Sequence, residues 1–405
     1  MNSTFNTFYY FTDFLIISII VLPLFFWTQK PVVRRMILIL TTSYLLFVIA
    51  PRLLLFYFLF WLSIWIAQIS LATKQRSSLL IILIIIFLAP LIIWKLYPAE
   101  FNIQFNLITH QLLKQISQRL WEIDAVRHLL IPIGFSFATF RAIDLLIQTH
   151  LGLINTLTLD RILYFGFFPP VLIVGPIIEY REIELAPVAM TSFKLQYLTE
   201  GITRIIIGMT KIFVLAYPLQ LSSEIFNNFD QNSSWIIWSS LFLFSWFFYL
   251  NFAGYADIAI GSARLYGFRI QENFNFPYFQ PNIQAFWANW HISLTRFAQR
   301  NVFIPLGGFR PKTQYFAIIA TIMVIALWHD LSFPLILFGC YHGFALCIHR
   351  YWDNRRKTLK QKPTTSQIWI IIKQLVTFLF VMLGFPLMML PISQIMPFYL
   401  ALLGY

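Results

Sequence analysis

The sequence predicts an all-α, polytopic membrane protein with roughly 10–12 transmembrane or re-entrant helices, since a spanning helix needs about 20 apolar residues. Two observations predict this fold class. Of the 405 residues, 59% are hydrophobic and 11% are charged, whereas a soluble domain carries about 25% charged residues. The apolar residues also form blocks without any charge, as at 53–73 and 77–94. These blocks are apolar on every face, so they are not amphipathic surface helices.

We divide the chain into four segments. Residues 1–95 form N-terminal flanking transmembrane helices, and the more polar residues 96–127 form an interfacial segment. Residues 128–350 hold shorter apolar stretches interrupted by Pro, Gly and charge, and broken helices persist at membrane depth only when buried in protein or lining a wet cavity. We therefore predict the functional core there, and a basic cytoplasmic loop with a C-terminal transmembrane segment in 351–405. The predicted spans lie near 13–28, 36–50, 53–73, 78–95 and 366–392.

The net charge of +13 would suggest nucleic acid in a soluble protein, but here the basic residues fall in short loops, where they set orientation. We predict that these loops are cytoplasmic, that the N-terminus is outside and that nucleic acid is not a partner. No Lys or Arg precedes the first apolar block, so this block is predicted to be a retained span of a multi-pass protein of the cell (inner or plasma) membrane. The three clusters are Lys30, Arg34 and Arg35, then Lys74 and Arg76, then Arg350, Arg355, Arg356, Lys357, Lys360 and Lys362.

Three of the seven histidines are candidate functional residues. His291 lies in Trp-His-Ile-Ser, His329 follows the apolar run 315–328, and His342 lies inside the next apolar segment. An ionisable group inside a membrane is costly and suggests function; the alternative is a neutral histidine bonded to a backbone carbonyl in a helix bundle. A buried, neutral histidine can act as general base toward a hydroxyl. There is no Gly-x-Ser-x-Gly or His-Glu-x-x-His motif, and we predict no metal site.

A set of longer sequence words extends over residues 128–350. Residues 251–308 contain Asn-Phe-Ala-Gly-Tyr-Ala-Asp, Glu-Asn-Phe-Asn-Phe-Pro-Tyr, Phe-Trp-Ala-Asn-Trp-His-Ile-Ser and Phe-Ile-Pro-Leu-Gly-Gly. Further words are Ile-Pro-Ile-Gly-Phe-Ser-Phe at 131–137, Leu-Trp-His at 327–329 and Gly-Cys-Tyr-His-Gly at 339–343. In this order they closely resemble the signature region of the membrane-bound O-acyltransferase family. The bacterial branch that the chain most resembles acetylates alginate and similar exopolysaccharides, and a neighbouring branch D-alanylates teichoic acids.

The resemblance implies roles for individual residues. In the family, the histidine after the long apolar run is the essential one, so His329 would remove the proton from an acceptor hydroxyl. His291 would position the acceptor or stabilise charge on the thioester oxygen; its alternative role is a helix-end contact to the backbone. For His342, also a substrate-tunnel candidate, we favour packing and hydrogen bonding over catalysis. The other tunnel candidates are Asn289, Ser293, Tyr255, Asp257 and Tyr341.

Buried charges and departures from the family pattern add further expectations. An unpaired Asp257 at membrane depth would be unfavourable, so it should have a polar partner. Arg141 and Asp144 are three residues apart and are expected to pair on one helix face. The family usually has Gly where this chain has Asp330, whose carboxylate would act on the preceding histidine or bond elsewhere. Where the family commonly has two basic residues before Trp-His, this chain has Ala288 and Asn289. Where the family has Arg-Asp-Tyr, this chain has Gln-Arg-Asn at 299–301. These differences weaken any inference about which polymer is modified.

The function that the resemblance implies is O-acyl transfer. The donor would be a cytoplasmic-side thioester, either acyl-CoA or the phosphopantetheine of an acyl carrier protein, with no bound cofactor. The acceptor would be a hydroxyl of an extracytoplasmic polysaccharide or teichoic-acid-like polymer, with secreted partner proteins and membrane lipids as further partners. The alternatives are an acyltransferase acting on a lipid or a lipidated protein, a transporter, for which broken helices are also typical, and a non-catalytic scaffold.

Overall fold

The computed structural model describes residues 2–49, 51–96, 134–184, 192–360 and 366–405. Within these ranges the regular elements are helices and no strand occurs, which confirms the all-α class. The predicted interfacial segment falls, from residue 97 onward, outside the described residues. Six helices in the described ranges are long and apolar enough to cross a membrane: Tyr10–Trp27, Pro31–Ile49, Pro51–Lys74, Leu195–Gln231, Ser234–Leu265 and Gln367–Met389.

The chain forms two compact units, and the first comprises Met1–Leu195 with Tyr266–Phe268. Its four N-terminal helices lie close to the four predicted spans. After residue 134, this unit contains helices of 16 residues or fewer in its described part. The helices are α1 (Asn2–Trp27), α2 (Pro31–Ile49), α3 (Pro51–Lys74), α4 (Ser77–Leu96), α5 (Phe135–His150), α6 (Leu159–Gly166) and α7 (Tyr180–Glu184).

Glycine and proline interrupt the helices of the first unit where the sequence contains them. Gly134 precedes α5 with a φ of 81°, and a Cβ at this position would lie 2.3 Å from the backbone oxygen of Leu172. Only glycine fits both the left-handed backbone and this close approach. After α6, Pro169–Val171 form a single 3₁₀ turn. The chain therefore changes direction within this unit at positions that hold Gly and Pro.

The first basic cluster makes contacts inside the first unit. Arg34 is buried, and its Nε donates to the backbone oxygen of Thr28, 2.8 Å away, just after the end of α1. Arg35 forms an ion pair with Asp160, with Nη2 and Oδ2 2.7 Å apart. A cation near a helix C-terminus also interacts favourably with the helix dipole. Arg34 therefore stabilises the end of α1, and Arg35 connects α2 to the first turn of α6, in addition to any role in orientation.

The expected pairing of Arg141 with Asp144 is wrong. The Arg141 guanidinium lies over the ring of Phe165, 4.5 Å from its centroid, and 5.7 Å from that of Trp61. None of its nitrogens has a hydrogen-bond partner in the part of the chain that the structure describes. Asp144 instead accepts from Nε2 of Gln148, at 2.6 Å. The side chain of Arg141 turns toward the aromatic rings of α3 and α6, where cation–π attraction acts on it.

The second unit comprises Gln196–Leu265 and Arg269–Tyr405. Its first helix continues past Met209 into a π turn at Thr210–Ala216 and a 3₁₀ turn at Tyr217–Glu224. The predicted C-terminal span is present and ends at Met389. The helices are α8 (Leu195–Met209), α9 (Ile225–Asn228), α10 (Ser234–Leu265), α11 (Ile283–Asn289), α12 (Ile292–Ala298), α13 (Gln314–His329), α14 (Phe333–Thr358), α15 (Gln367–Met389) and α16 (Ile392–Leu403).

Helices α8 and α10 pack backbone against backbone through two pairs of glycines. A Cβ on Gly208 would lie 2.6 Å from the backbone oxygen of Gly254, and a Cβ on Gly201 would lie 2.9 Å from that of Gly261. Small residues at such positions allow membrane helices to approach closely, because packing rather than the hydrophobic effect holds helices together in lipid.

Asp257 on α10 has the polar partners that its burial requires. Its Oδ1 lies 2.6 Å from Nη2 of Arg204, and its Oδ2 lies 2.6 Å from Nζ of Lys211. Both cations belong to the helical segment that packs against α10. The prediction of a polar partner for Asp257 is confirmed.

Candidate active site

One cavity in the second unit brings His291, His329 and His342 together. Helices α10, α13, α14 and α15 each contribute residues spaced three or four apart, which places them on one helix face. On α13 and α14 these are Ile325 with His329 and Phe338 with His342. The remaining lining residues are Phe248, Phe252, Phe286, Trp287, Trp290, Leu294, Val381, Phe385 and Met388.

The cavity is small and its wall is mostly aromatic and aliphatic. Its volume is about 40 Å³, and a single water requires roughly 10–15 Å³ by the same measure. The space thus holds a few waters or one compact chemical group. Among the lining residues, the three histidines are the titratable ones.

His291 is held in an uncommon backbone conformation between α11 and α12. Its φ of 42° and ψ of 57° lie in the left-handed region, which for a non-glycine residue costs on the order of 1–3 kcal/mol and persists only where the surroundings enforce it. Directly after it, the amide of Ile292 donates to the backbone oxygen of Asn273, 2.9 Å away. The segment around Asn273 therefore fixes the direction of the His291 side chain.

Asn273 is fully buried and bonds to His291 through its side chain. Its Oδ1 accepts from the backbone amide of Ser293 at 3.2 Å and from Oγ of Ser293 at 2.8 Å, and it lies 3.1 Å from Nδ1 of His291. Sequence reasoning missed this residue as part of the site. It lies inside the word Glu-Asn-Phe-Asn-Phe-Pro-Tyr, but no sequence spacing relates it to a histidine 18 residues later.

The imidazole of His291 is kept neutral. His291 lies outside the apolar helices that could span a membrane. Burial lowers its pKa below the ordinary value, and the nearby His329 lowers the pKa further. A neutral ring is the form that accepts a proton or a hydrogen bond at one nitrogen. His291 therefore has the protonation state that work on a hydroxyl requires.

His329 is the last residue of α13, and its side chain is exposed. This exposure follows because α13 ends at His329. The following carboxylate is engaged elsewhere, since Oδ1 of Asp330 accepts from the amide of Leu331 at 2.9 Å. His329 thus lines the cavity while remaining accessible from outside it.

His342 is buried, with its ring packed among aromatic side chains. Ring centroids of Phe338 and Trp287 lie 4.5 Å and 5.4 Å away, and Tyr341 and Phe380 complete this surrounding. The expected packing is present. The expected hydrogen bond is not, because neither ring nitrogen has a partner among the residues described.

The other tunnel candidates do not line this cavity. Asn289 donates back to the carbonyl of Ala285 in its own helix, at 2.8 Å, and Ser293 is bonded to Asn273. The hydroxyl of Tyr341 donates to the backbone oxygen of Phe380, 2.9 Å away. Tyr255 and Asp257 lie on α10.

Within the described ranges, no group of three His, Cys, Asp or Glu side chains is arranged to hold a metal ion.

Comparison with known proteins relates this site to a family. A sequence model of the membrane-bound O-acyltransferase family matches residues 126–393, which include the cavity. The chain is 30% identical to the probable alginate O-acetylase AlgI of Pseudomonas aeruginosa over 262 residues, covering 64% of this chain and 48% of the relative. It is 30% identical to the peptidoglycan O-acetyltransferase of Helicobacter pylori, covering 60% and 52%. It is 30% identical to the teichoic acid D-alanyltransferase of Bacillus subtilis, covering 62% and 67%. The chain spans about half the length of the alginate relatives that it matches.

Proposed function

Because the chain belongs to the membrane-bound O-acyltransferase family, we propose that it is an enzyme that transfers a small acyl group to hydroxyls of an extracytoplasmic polymer. The donor is a thioester on the cytoplasmic side, carried by coenzyme A or by an acyl carrier protein. The acceptor is a polysaccharide or a teichoic-acid-like polymer at the cell surface, as in the relatives named for alginate, peptidoglycan and teichoic acid. The membrane concerned is the cell membrane.

The proposed reaction needs one base and no bound cofactor. His329 takes the proton of the acceptor hydroxyl while the hydroxyl oxygen attacks the thioester carbonyl carbon. The tetrahedral intermediate then expels the thiolate, which takes the proton back from His329. One ester bond forms, one thioester bond breaks and one thiol leaves, so the reaction is balanced without an oxidant or a metal.

The single observation that carries this proposal is the convergence of three histidines on one small, apolar cavity. Its volume of about 40 Å³ suits an acetyl or D-alanyl group better than a long acyl chain. An apolar wall also excludes bulk water, which would otherwise compete with the hydroxyl for the thioester.

The distribution of charge along α14 supports an approach of the acceptor from the outer side of the membrane. The last turns of α14 carry Arg355, Arg356 and Lys357, whereas His342 lies in its first half. Arg355 is thirteen positions after His342, or about 20 Å along the axis at 1.5 Å per residue. If the basic end is cytoplasmic, the cavity lies nearer the outer side, where a cell-surface acceptor arrives.

The test is to replace His329 with Ala and to measure ester-linked acyl groups that mild base releases from the purified cell-surface glycan. Membrane levels of the variant and the wild type are matched first. His349→Ala serves as the control, because His349 lies on α14 but does not line the cavity. We expect the ester signal to disappear only in His329→Ala, and the released acid identifies the acyl group. An unchanged signal in His329→Ala would refute the proposed role and favour a transporter or a scaffold.

A further inference from the structure

The hydrogen bonds around Asn273 determine which nitrogen of His291 carries the proton. The backbone amide of Ser293 can only donate, so the Asn273 side-chain atom 3.2 Å from it must be the oxygen. This assigns the Asn273 amide without reference to the histidine. A carboxamide oxygen can only accept, and therefore the contact of 3.1 Å between this oxygen and Nδ1 of His291 requires that Nδ1 carries the hydrogen.

The consequence concerns the opposite nitrogen. A neutral imidazole has one N–H and one lone pair, so with the hydrogen on Nδ1 the Nε2 atom is an acceptor. Such a ring can accept from a hydroxyl, but it cannot donate to the oxygen of a thioester. Of the two roles that the family resemblance leaves open for His291, this geometry is compatible only with binding the acceptor.

We propose that Asn273 is a positioning residue that holds His291 in the Nδ1–H form, so that Nε2 of His291 accepts a hydrogen bond from a hydroxyl of the acceptor polymer. This inference rests on the proposed acyl transfer. Sugars and polyols carry neighbouring hydroxyls, so His291 binds one hydroxyl while His329 deprotonates the next. The left-handed backbone of His291 and the bond from Ile292 to Asn273 hold the ring in this orientation.

The experiment uses the full-length protein in proteoliposomes, with acetyl-coenzyme A as the thioester probe and de-esterified cell-surface glycan as the acceptor. Asn273→Leu removes the accepting oxygen. We expect glycan acetylation to fall about tenfold, the effect of losing one hydrogen bond, with a higher KM for glycan and an unchanged KM for acetyl-coenzyme A. If the KM for acetyl-coenzyme A rises instead, His291 acts on the donor and the proposal is overturned.

Asn273→Asp separates positioning from simple capping of α12. A carboxylate can still cap the helix and accept the hydrogen of Nδ1, so we expect transfer to be retained. Its negative charge also stabilises the protonated form of His291, which raises the pKa of the imidazole. The acidic limb of the pH–rate profile for transfer to glycan should therefore move to higher pH, because a protonated imidazole cannot accept a hydrogen bond from the glycan hydroxyl. The titratable groups that share the cavity with His291 are His329 and His342, and both are unchanged in this variant. A wild-type profile in Asn273→Asp would mean that Asn273 is only a cap, and it would overturn the proposal even if Asn273→Leu fails to fold.

Ser293→Ala is the matched control, since it removes the Oγ contacts to Asn273, at 2.8 Å, and to Nδ1 of His291, at 3.5 Å, but keeps the backbone amide. It should keep transfer within about threefold and leave the pH profile unchanged, because the Asn273 oxygen still accepts from the Ser293 amide and from Nδ1 of His291. A wild-type protein that transfers nothing from acetyl-coenzyme A, nor from a carrier protein charged with acetyl or D-alanyl groups, would refute the proposed function itself. Wild-type transfer combined with an unshifted Asn273→Asp profile would refute only this inference.

Discussion

At the scale of single residues, the buried histidines of the cavity differ in whether their ring nitrogens have hydrogen-bond partners. His291 is tied to Asn273, whereas His342 has no hydrogen-bond partner at either ring nitrogen among the described residues. An unsatisfied buried polar group costs about 1–3 kcal/mol. Such a cost is compatible with a group that finds its partner in a substrate.

We predict that His342→Leu lowers acyl transfer at least about tenfold, the effect of losing one hydrogen bond of about 1.4 kcal/mol. The protein should be at least as stable as the wild type, because a buried polar group without a partner is replaced by an apolar one of similar size. His342→Gln, which keeps an N–H group, should recover part of the activity. Glycan esterification at matched protein levels and the melting temperature in detergent check this. Unchanged activity in His342→Leu would leave packing as the role of His342.

At the scale of helices, the sequence pattern anticipated some contacts and misjudged others. Helices α2 to α4 coincide with long apolar blocks that carry charge only near their ends, so their positions could be predicted from composition. A polar partner of Asp257 was expected, but Arg204 and Lys211 are 53 and 46 residues away. Only the packing of α8 and the π turn that follows it against α10 identifies them. The spacing of Arg141 and Asp144 suggested a pair, but Phe165 and Trp61 compete for the guanidinium.

The glycine contacts between α8 and α10 predict how a small substitution acts on this helix pair. In Gly208→Ala, the added Cβ would lie 2.6 Å from a backbone oxygen of Gly254, so the helices must move apart, at a cost of about 1–3 kcal/mol. Gly339→Ala is the control, because the nearest atom to its Cβ is Sδ of the flexible Met323 at 3.0 Å. Thermal unfolding in detergent should show a clear loss of stability for Gly208→Ala and a smaller change for Gly339→Ala. Equal losses would contradict direct backbone packing as the cause.

At the scale of the whole molecule, the distribution of basic residues predicts the orientation in the membrane. In a protein with Cys340 and Cys347 replaced by Ser, Arg356→Cys should react with an impermeant maleimide only after the cells are permeabilised, because the basic end of α14 is expected to be cytoplasmic. Ser332→Cys, just before the other end of α14, should react in intact cells. The reverse labelling pattern would invert the orientation and the proposed sides of donor and acceptor.

The sequence by itself determined that this is a helical membrane protein, because apolar blocks of spanning length have few alternatives in a bilayer. The ordered words in residues 128–350 were also sufficient to indicate the family. Each apolar block and each sequence word consists of consecutive residues, so both can be identified without knowing how the helices pack.

Only the tertiary structure decided which side chains share the cavity, that Asn273 holds His291, and that Asn289, Tyr255 and Tyr341 are not part of the lining. The reason is that these contacts join residues on different segments, and their geometry depends on helix ends and on one left-handed backbone at His291. A single sequence shows which residues are present at a site of this kind, but packing determines the direction in which each one points.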